Sequence, residues 1–208
     1  MKTNTGLVDY CRKQIGLPYW WGTFGQVATL SLLEQKKKQY PAQYLASDFK
    51  YQLGQRVHDC VGLIKGYLWT NDGKLTYNAA QDKDVSGMLS NCSAQGNISS
   101  IPEIPGVLVF MKGHVGVYIG NGEVIEAKGH KYGVCKTKLD ERPWTTWGIL
   151  DWISYEKEKK MNEYEALDYL VEKGRITDKE YWLNALAVVK NLNWFVIKWA
   201  DDVKLVTK

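Results

Sequence analysis

The sequence predicts an α+β fold, in which helices pack on an antiparallel β-sheet and a small helical module follows at the C-terminal end. Three observations support this expectation. Apolar residues recur at helical spacing in the first third of the chain, they alternate at a spacing of two between residues 107 and 153, and helical spacing returns beyond residue 160. Helices followed by a run of strands are typical of the α+β class.

The composition restricts the class of protein. The 208 residues are 45% hydrophobic and 24% charged, which excludes a disordered chain, a collagen-like chain and a coiled-coil rod. No apolar run reaches the roughly 18 residues of a membrane span, so no membrane insertion is expected. The net charge of +4 suits an anionic polymer, but it is too small and too dispersed to predict nucleic-acid binding.

The cysteines and histidines do not form a metal-binding pattern. The chain has 4 Cys and 3 His, without a C-x-x-C pair, so no metal site is expected. The first 14 residues lack the apolar segment of a secretory signal. We therefore expect a protein made in the cytoplasm without a signal peptide, whose thiols are reduced and serve as buried hydrophobes or as a nucleophile.

The first half of the chain is predicted to be mainly helical. Gly16 and Pro18 end the first helix, and Asp59 is a good N-cap that leaves Cys60 in the first turn of a later one. The predicted elements are a helix over 7–15, an aromatic loop over 18–25, helical pieces over 26–56, a helix over 59–69, and a connecting region over 70–104 with a short helix over 86–90.

The second half begins with strands. Five β-branched or alternating runs, separated by Gly and Pro, predict an antiparallel meander. These runs are 107–111, 114–119, 123–127, 134–139 and 147–153.

The C-terminal segment differs in composition and predicts a second domain. The charge run 155–160 is a plausible linker. Helices are expected over 163–173, from a capping box at 177–180 to Val189, and over 194–203. We thus divide the chain into a main domain, residues 1–154, and a helical module, residues 161–208. The module is marginal alone, so we expect it to dock on the main domain or to self-associate.

Cys60 is the candidate nucleophile. A cysteine at a helix N-terminus feels the partial positive charge and the unpaired N–H groups there, which favour the thiolate and could hold an oxyanion. A thiol nucleophile also needs a base, usually histidine. His58 is expected to point elsewhere or to line a rim, and His130 to lie exposed in a loop. His114 begins a strand and is the candidate base.

A third group must fix the tautomer of that base. If residues 120–122 form a three-residue loop, His114 and Glu126 share one face of the sheet, whereas a two-residue Asn-Gly loop would put them on opposite faces. The apolar pattern fits either, and Glu126 could then be an exposed strand carboxylate. We predict the three-residue loop, with a core face formed by Val115, Val117, Ile119, Ile125 and Ala127.

Four motifs in order resemble the NlpC family of papain-like cell-wall peptidases. They are Gly16-Leu17-Pro18-Tyr19-Trp20-Trp21-Gly22, Asp59-Cys60-Val61-Gly62-Leu63-Ile64, Pro105-Gly106-Val107-Leu108-Val109-Phe110 and His114-Val115-Gly116-Val117-Tyr118-Ile119-Gly120. The resemblance covers about residues 5–153 and implies a papain-like fold. The C-terminal segment resembles the helical tails of phage and clostridial-type wall amidases and endolysins, which leaves wall binding, oligomerisation and simple stabilisation of the main domain open as roles of residues 161–208.

The resemblance assigns roles to individual residues. It implies Cys60 as nucleophile, His114 as base and Glu126 in the third catalytic position. Four residues are expected to bind substrate: Tyr19, Trp20, Trp21 and Asp59. The third residue of the family is often His, so Glu126 is more similar to CHAP-type enzymes. Val61 and Val107 also depart from the usual Ser and Asp, and the stretch between Gly25 and Asp59 is longer than usual.

The implied activity is that of a cysteine endopeptidase acting on peptidoglycan. The family implies cleavage between D-glutamate and the diamino acid of the stem peptide, with no cofactor. A phage-type lysin that acts on the cell wall after release is expected, with self-association through the C-terminal helices as a further possibility. The alternatives are a CHAP-like N-acetylmuramoyl-L-alanine amidase and a non-catalytic wall-binding protein. An acyltransferase of the permuted type is disfavoured because its His would precede its Cys.

Overall fold

The computed structural model describes residues 1–155, 162–189 and 192–206 of the chain. The chain forms two compact units, Met1–Lys157 and Glu158–Lys208. No helix within the described ranges has the length and apolarity needed to cross a membrane. Most of the predicted linker, residues 156–160, lies outside the described residues.

The first unit combines helices with an antiparallel sheet, which confirms the predicted α+β class. Its helices are α1 Asn4–Gln14, α2 Leu30–Gln39, α3 Cys60–Trp69 and α4 Val85–Ser90. Its strands are β1 Phe24–Val27, β2 Arg56–His58, β3 Thr70–Asn71, β4 Lys74–Leu75, β5 Cys92–Asn97, β6 Leu108–Met111, β7 His114–Gly120, β8 Glu123–Gly129, β9 Gly133–Lys138 and β10 Thr146–Leu150. Short 3-10 helices lie at Pro41–Gln43, Asp48–Gln52, Ala79–Gln81, Ile98–Ser100 and Leu139–Glu141.

The main sheet has six strands in the order β5-β10-β6-β7-β8-β9. The predicted meander is correct for β6 to β9, but β10 leaves it and pairs with β6 and β5 on the other side. β5 lies in the region predicted to be a connection. Its polar sequence has no apolar alternation because it forms the edge of the sheet and most of its residues are exposed.

Four further strands were predicted to be other structure, and two of them, β3 and β4, lie in the region predicted to be a connection. β1 and β2 pair with each other in a separate two-stranded sheet, where the sequence predicted an aromatic loop and helical pieces. Tertiary pairing decides the structure of such short segments, since three or four residues carry little periodicity. The helices predicted over 7–15, 59–69 and 86–90 are present, with shifts of a few residues at their ends.

The core lies where α1 and α3 pack on one face of the sheet. The residues predicted for that face are all buried in this cluster: Val115, Val117, Ile119, Ile125 and Ala127. Leu63 and Ile64 of α3 and Leu7 of α1 pack against them with at most 1% exposure. The opposite face carries a smaller cluster that contains Tyr118 and Trp144.

The turn between β7 and β8 differs from the prediction. Gly120 pairs with Glu123, so the loop has two residues, Asn121 and Gly122, both with positive φ. The register then shifts between Tyr118 and Gly120, and Val117 pairs with Ile125. The three-residue loop was therefore wrong. A β-bulge in β7 supplies the extra residue instead. Beyond the turn, the two strands therefore pair in the predicted register.

The second unit contains three helices, α5 Glu163–Glu172, α6 Lys179–Val188 and α7 Leu192–Val206. α5 begins at a capping box formed by Asn162 and Glu165. Asp178, and not Thr177, is the N-cap of α6. Leu167, Leu170 and Val196 form a fully buried core between α5 and α7, so the segment has an apolar centre of its own.

Candidate active site

Cys60 is the first residue of α3, and Asp59 fixes the start of that helix. The two carboxylate oxygens of Asp59 accept hydrogen bonds from the backbone N–H of Gly62 at 2.6 Å and from that of Gly22 at 2.9 Å. Asp59 thus connects the start of α3 to the loop that contains Tyr19 and Trp21. Burial raises the pKa of Asp59 to about 6, against the opposing effect of these N–H groups.

The thiol of Cys60 is only slightly accessible, since the residue is 6% exposed. Burial, followed by the nearby carboxylate of Asp59, raises its pKa to about 12. The backbone N–H groups of Val61, Val115 and Cys60 itself oppose this shift, as hydrogen-bond donors to the sulfur. A raised pKa favours the neutral thiol, so Cys60 would need a base in order to react, and it lies beside Val115, the strand residue that follows His114.

His114 and Glu126 are directly hydrogen-bonded across β7 and β8. The distance from His114 Nε2 to Glu126 Oε2 is 2.7 Å, and the two side chains are 13% and 0% exposed. A carboxylate can only accept, so in its neutral form the imidazole carries its proton on Nε2 and its free lone pair on Nδ1. The ring of Trp144 stacks on that of His114 at 5.6 Å and 16°. The imidazole of His114, the candidate base, is thus held in one plane with Nε2 directed at Glu126.

The carboxylate of Glu126 has three partners. Besides His114, Thr137 Oγ1 donates to Oε1 at 2.8 Å, and Arg142 donates to Oε2 at 3.1 Å. Arg142 Nε lies 3.1 Å from Oε1. Burial by itself would raise the pKa of Glu126, but the hydrogen bonds from His114 and Thr137 and the charges of His114 and Arg142 hold it below its usual value. Glu126 is therefore a buried anion and not an exposed strand residue.

The candidate nucleophile and the candidate base lie on different elements, α3 and β7. Throughout the described part of the chain, no hydrogen bond links the Cys60 thiol to the His114 ring. Such bonds are often long in enzymes without substrate and tighten in the complex. The structure brings together His114 with Glu126, and Cys60 with the backbone of Val115.

The predicted substrate-binding aromatics have different environments. Tyr19 is partly buried against the cluster that contains Cys60, and burial together with the charges of Cys60 and Asp59 raises its pKa. Trp21 is 40% exposed. Trp20 was expected to line the cleft, and this is wrong. It is fully buried in a separate aromatic cluster, where Nε1 donates to Gln52 at 2.6 Å.

The two other histidines lie apart from this chemistry. His58 is fully buried, so it does not line a rim, and its Nε2 is 3.0 Å from the hydroxyl of Tyr10. Burial lowers the pKa of His58 to about 3. His130 bonds Asp48 at 2.7 Å and stacks on Phe49 at 4.3 Å, so it is more enclosed than its loop position suggested.

Three residues of the site escaped the sequence reasoning: Thr137, Arg142 and Trp144. Thr137 could have been found, because Glu126 pairs with Cys135 and Thr137 follows two residues later along β9. Arg142 and Trp144 follow the 3-10 helix Leu139–Glu141, whose return to the sheet has no local sequence signal. Within the described ranges, no group of three His, Cys, Asp or Glu side chains is arranged to hold a metal ion.

Comparison with known proteins gives one family. A profile described as the NlpC/P60 family matches residues 47–152, a range that contains Cys60, His114 and Glu126. A comparison with curated proteins found no match.

Several solved structures are similar at a distance. NlpC2 from Trichomonas vaginalis shares 16% identity with a TM-score of 0.46, over 74% of this chain and 48% of its own, so the chain spans about half of that protein. The peptidoglycan hydrolase RipB from Mycobacterium tuberculosis shares 19% identity with a TM-score of 0.45, over 73% of this chain and 67% of its own. The P60 domain of an antigen from M. avium subspecies paratuberculosis shares 21% identity with a TM-score of 0.42, over 73% of this chain and 98% of its own.

Proposed function

The chain belongs to the NlpC/P60 family, which confirms the resemblance expected from the sequence, and from this premise we propose that it is a cysteine peptidase of peptidoglycan. The substrate is the stem peptide of the cell wall, and the bond is the amide between D-glutamate and the diamino acid. The observation that carries the proposal is the 2.7 Å hydrogen bond between His114 and Glu126, together with a cysteine at the start of α3. No cofactor takes part.

The reaction follows from the groups that the site contains. Nδ1 of His114 takes the proton of the Cys60 thiol as the sulfur attacks the carbonyl carbon. The oxyanion that forms lies at the start of α3, where the N–H groups of Cys60 and Val61 can donate to it. His114 then delivers the proton to the amide nitrogen, the C–N bond breaks, and the amine leaves. Water activated by His114 hydrolyses the thioester, which releases the carboxylate and restores the thiol.

Three residues are proposed to contact or to shape the substrate cleft. Tyr19 lies beside Cys60 and offers a hydroxyl to the reacting carbonyl, and Trp21 offers an exposed aromatic face. Asp59 acts by tying α3 to the Tyr19–Gly22 loop, because its carboxylate accepts from Gly22 and Gly62. Trp20 has no part in this proposal.

An amidase of the CHAP type is the second candidate. The carboxylate of Glu126 favours it, since the sequence resembles CHAP enzymes at this position. Both candidates use the same thiol chemistry and differ in the bond that they cleave. A phage-type lysin that acts on the wall after release remains our biological proposal, and it rests on the resemblance of the C-terminal segment.

The helical module is proposed to bind the wall or to join two copies of the chain. Trp194 and Phe195 are 65% and 49% exposed and line a cavity of about 430 Å³ in this unit. Aromatic faces of this kind suit sugar rings or a second aromatic surface. Sedimentation of Trp194→Ala with purified walls, and its sedimentation velocity without them, separate the two roles. Loss of pelleting supports wall binding, loss of a dimer supports self-association, and no change in either overturns both.

The test of the activity is fragment release from purified peptidoglycan. The protein is compared with Cys60→Ala and with the matched control Cys92→Ala, whose thiol lies on the edge strand β5. Release by the protein and by Cys92→Ala, but not by Cys60→Ala, supports the proposal, and fragment masses identify the bond. Equal release by Cys60→Ala overturns the mechanism. The absence of release from walls of both diamino-acid types would favour a non-catalytic wall-binding protein.

A further inference from the structure

The carboxylate that orients the base is itself held by an arginine. We propose that Arg142 is a positioning residue of the reaction, which neutralises Glu126 so that this carboxylate can fix the tautomer of His114 without keeping the imidazole protonated. The inference rests on the proposed function, because it deepens the account of the same site. It concerns a residue that contacts neither the nucleophile nor the base through a hydrogen bond.

The pair combines one hydrogen bond with a close contact between opposite charges, since Nε of Arg142 is buried beside the carboxylate without a hydrogen bond of its own. One terminal nitrogen of the guanidinium is 3.1 Å from Oε2 of Glu126, and Nε is 3.1 Å from Oε1. Glu126 is fully buried, whereas the side chain of Arg142 is 21% exposed. Arg142 also lines a cavity of about 760 Å³, so its outer N–H groups can stay hydrated while one terminal nitrogen donates to the buried anion.

The other groups around Glu126 cannot replace this charge. His114 on β7 is the base itself, and Thr137 on β9 is a neutral donor. Cys135, opposite Glu126 on β9, is a thiol whose pKa is raised by burial and by that carboxylate, against the charges of Lys128 and Arg142. Among the described residues, Arg142 is the permanent cation in direct contact with the carboxylate.

The consequence follows from electrostatics. An unscreened carboxylate 2.7 Å from an imidazole favours the imidazolium, which has no lone pair with which to accept the thiol proton. A guanidinium on the same carboxylate offsets that attraction. The hydrogen bond then orients the ring while the ring stays neutral, which suits a nucleophile that rests as a thiol. Trp144 supports both groups, since it stacks on His114 and lies 5.9 Å from the guanidinium carbon of Arg142.

The first test measures the base directly and needs no substrate. NMR titration of histidine labelled at Cε1, in the Cys60→Ala background, compares the parent with Arg142→Met and Arg142→Lys. The three histidine signals are assigned with His58→Gln and His130→Gln. We expect the pKa of His114 to rise by about one unit or more in Arg142→Met and to return toward the parent value in Arg142→Lys. An unchanged pKa of His114 in Arg142→Met overturns the inference.

The second test uses the pH profile of fragment release. In Arg142→Met with Cys60 intact, the acid limb of the activity profile should move to higher pH by the same amount. A merely structural role would instead lower the activity equally at every pH. Arg12→Met is the matched control, since this arginine pairs with Asp9 on α1, and it should leave the profile unchanged. Arg142→Gln, which can still donate to Glu126, replaces Arg142→Met if the latter does not fold.

The two proposals fail in different ways. If the parent protein releases no fragments, the proposed function fails while the NMR titration still reports on Arg142. If fragment release depends on Cys60 but the pKa of His114 and the acid limb stay in place in Arg142→Met and Arg142→Gln, the inference about Arg142 fails alone.

Discussion

His114 and Glu126 are joined by a 2.7 Å hydrogen bond, although the turn between their strands contains only two residues. A regular two-residue hairpin would place them on opposite faces of the sheet, because side chains alternate along each strand. The register shift between Tyr118 and Gly120 adds one residue to β7 and restores the common face. The proposed base and its carboxylate thus depend on a bulge.

The first prediction concerns the charge of Glu126. In Glu126→Gln, the amide oxygen can still accept from Nε2 of His114, but no charge is left to stabilise the imidazolium that forms during proton transfer. We expect kcat for fragment release to fall by about 100-fold with little change in KM. Glu123→Gln is the control, since Glu123 lies on the same strand and pairs with Lys136. A full rate in Glu126→Gln would exclude an electrostatic role.

The second prediction concerns the approach of α3 to the loop before it. A Cβ atom at Gly62 would lie 1.8 Å from the backbone oxygen of Thr23, so Gly62→Ala must displace α3. The better helix propensity of alanine, about 1 kcal/mol, cannot offset such a clash. We expect a Tm lower by several degrees in calorimetry, and a loss of activity because Cys60 moves with the helix.

Gly87→Ala is the matched control for this substitution. It adds the same methyl group to α4, where the atoms nearest to the new Cβ belong to the side chains of Lys83 and Asp84. It should change the Tm much less than Gly62→Ala does. Equal Tm values for Gly62→Ala and the parent would contradict the close approach of α3 to Thr23.

Local sequence was sufficient for the parts of the fold that repeat a pattern. The helix that begins at Cys60 has an N-cap and an apolar face, and strands β6 to β9 are β-branched or alternating runs, so both were predicted. Strands β1 to β5 were missed because short or polar strands owe their structure to their partners. Trp20 was misplaced for a related reason, since sequence alone does not reveal which of two adjacent aromatic residues is buried.

The candidate site divides in the same way. Because side chains alternate along each strand, the sequence could predict that His114 and Glu126 lie on one face of the sheet. It could not predict the turn and the bulge that bring this about. Arg142 approaches from beyond a 3-10 helix, and its contact with Glu126 depends on how the chain returns to the sheet. The bulge in β7 and the course of the chain after Leu139–Glu141 both depend on tertiary contacts, so the sequence pattern contained no signal for them.

The third prediction concerns acid stability and His58. Burial lowers the pKa of this residue to about 3, whereas an unfolded histidine titrates near 6.5. The unfolded state binds the proton first, so the free energy of unfolding should fall as the pH decreases from about 6.5 to 3. In His58→Gln the free energy of unfolding should fall less over this pH range than in the parent. The difference should be on the order of 4 kcal/mol, since each pKa unit corresponds to about 1.4 kcal/mol.

The measurement is urea unfolding of the parent and His58→Gln between pH 8 and pH 3. The difference at pH 8, where histidine is neutral in both states, gives the cost of the substitution itself, including any change in the bond to Tyr10. Parallel pH curves for the two proteins would show that His58 does not contribute to acid unfolding.

The last prediction concerns the protonation state of the nucleophile. Burial and the carboxylate of Asp59 raise the pKa of Cys60 to about 12, so the thiolate is a small fraction of the resting protein at neutral pH. Alkylation of Cys60 by iodoacetamide should therefore be slow at pH 7 and accelerate continuously up to pH 10, about tenfold per pH unit, without a plateau. Mass spectrometry of the peptide that contains Cys60 gives the rate separately from those of Cys92 and Cys135. A plateau below pH 7 would instead indicate a preformed thiolate–imidazolium pair and would contradict the neutral thiol on which the role of Arg142 depends.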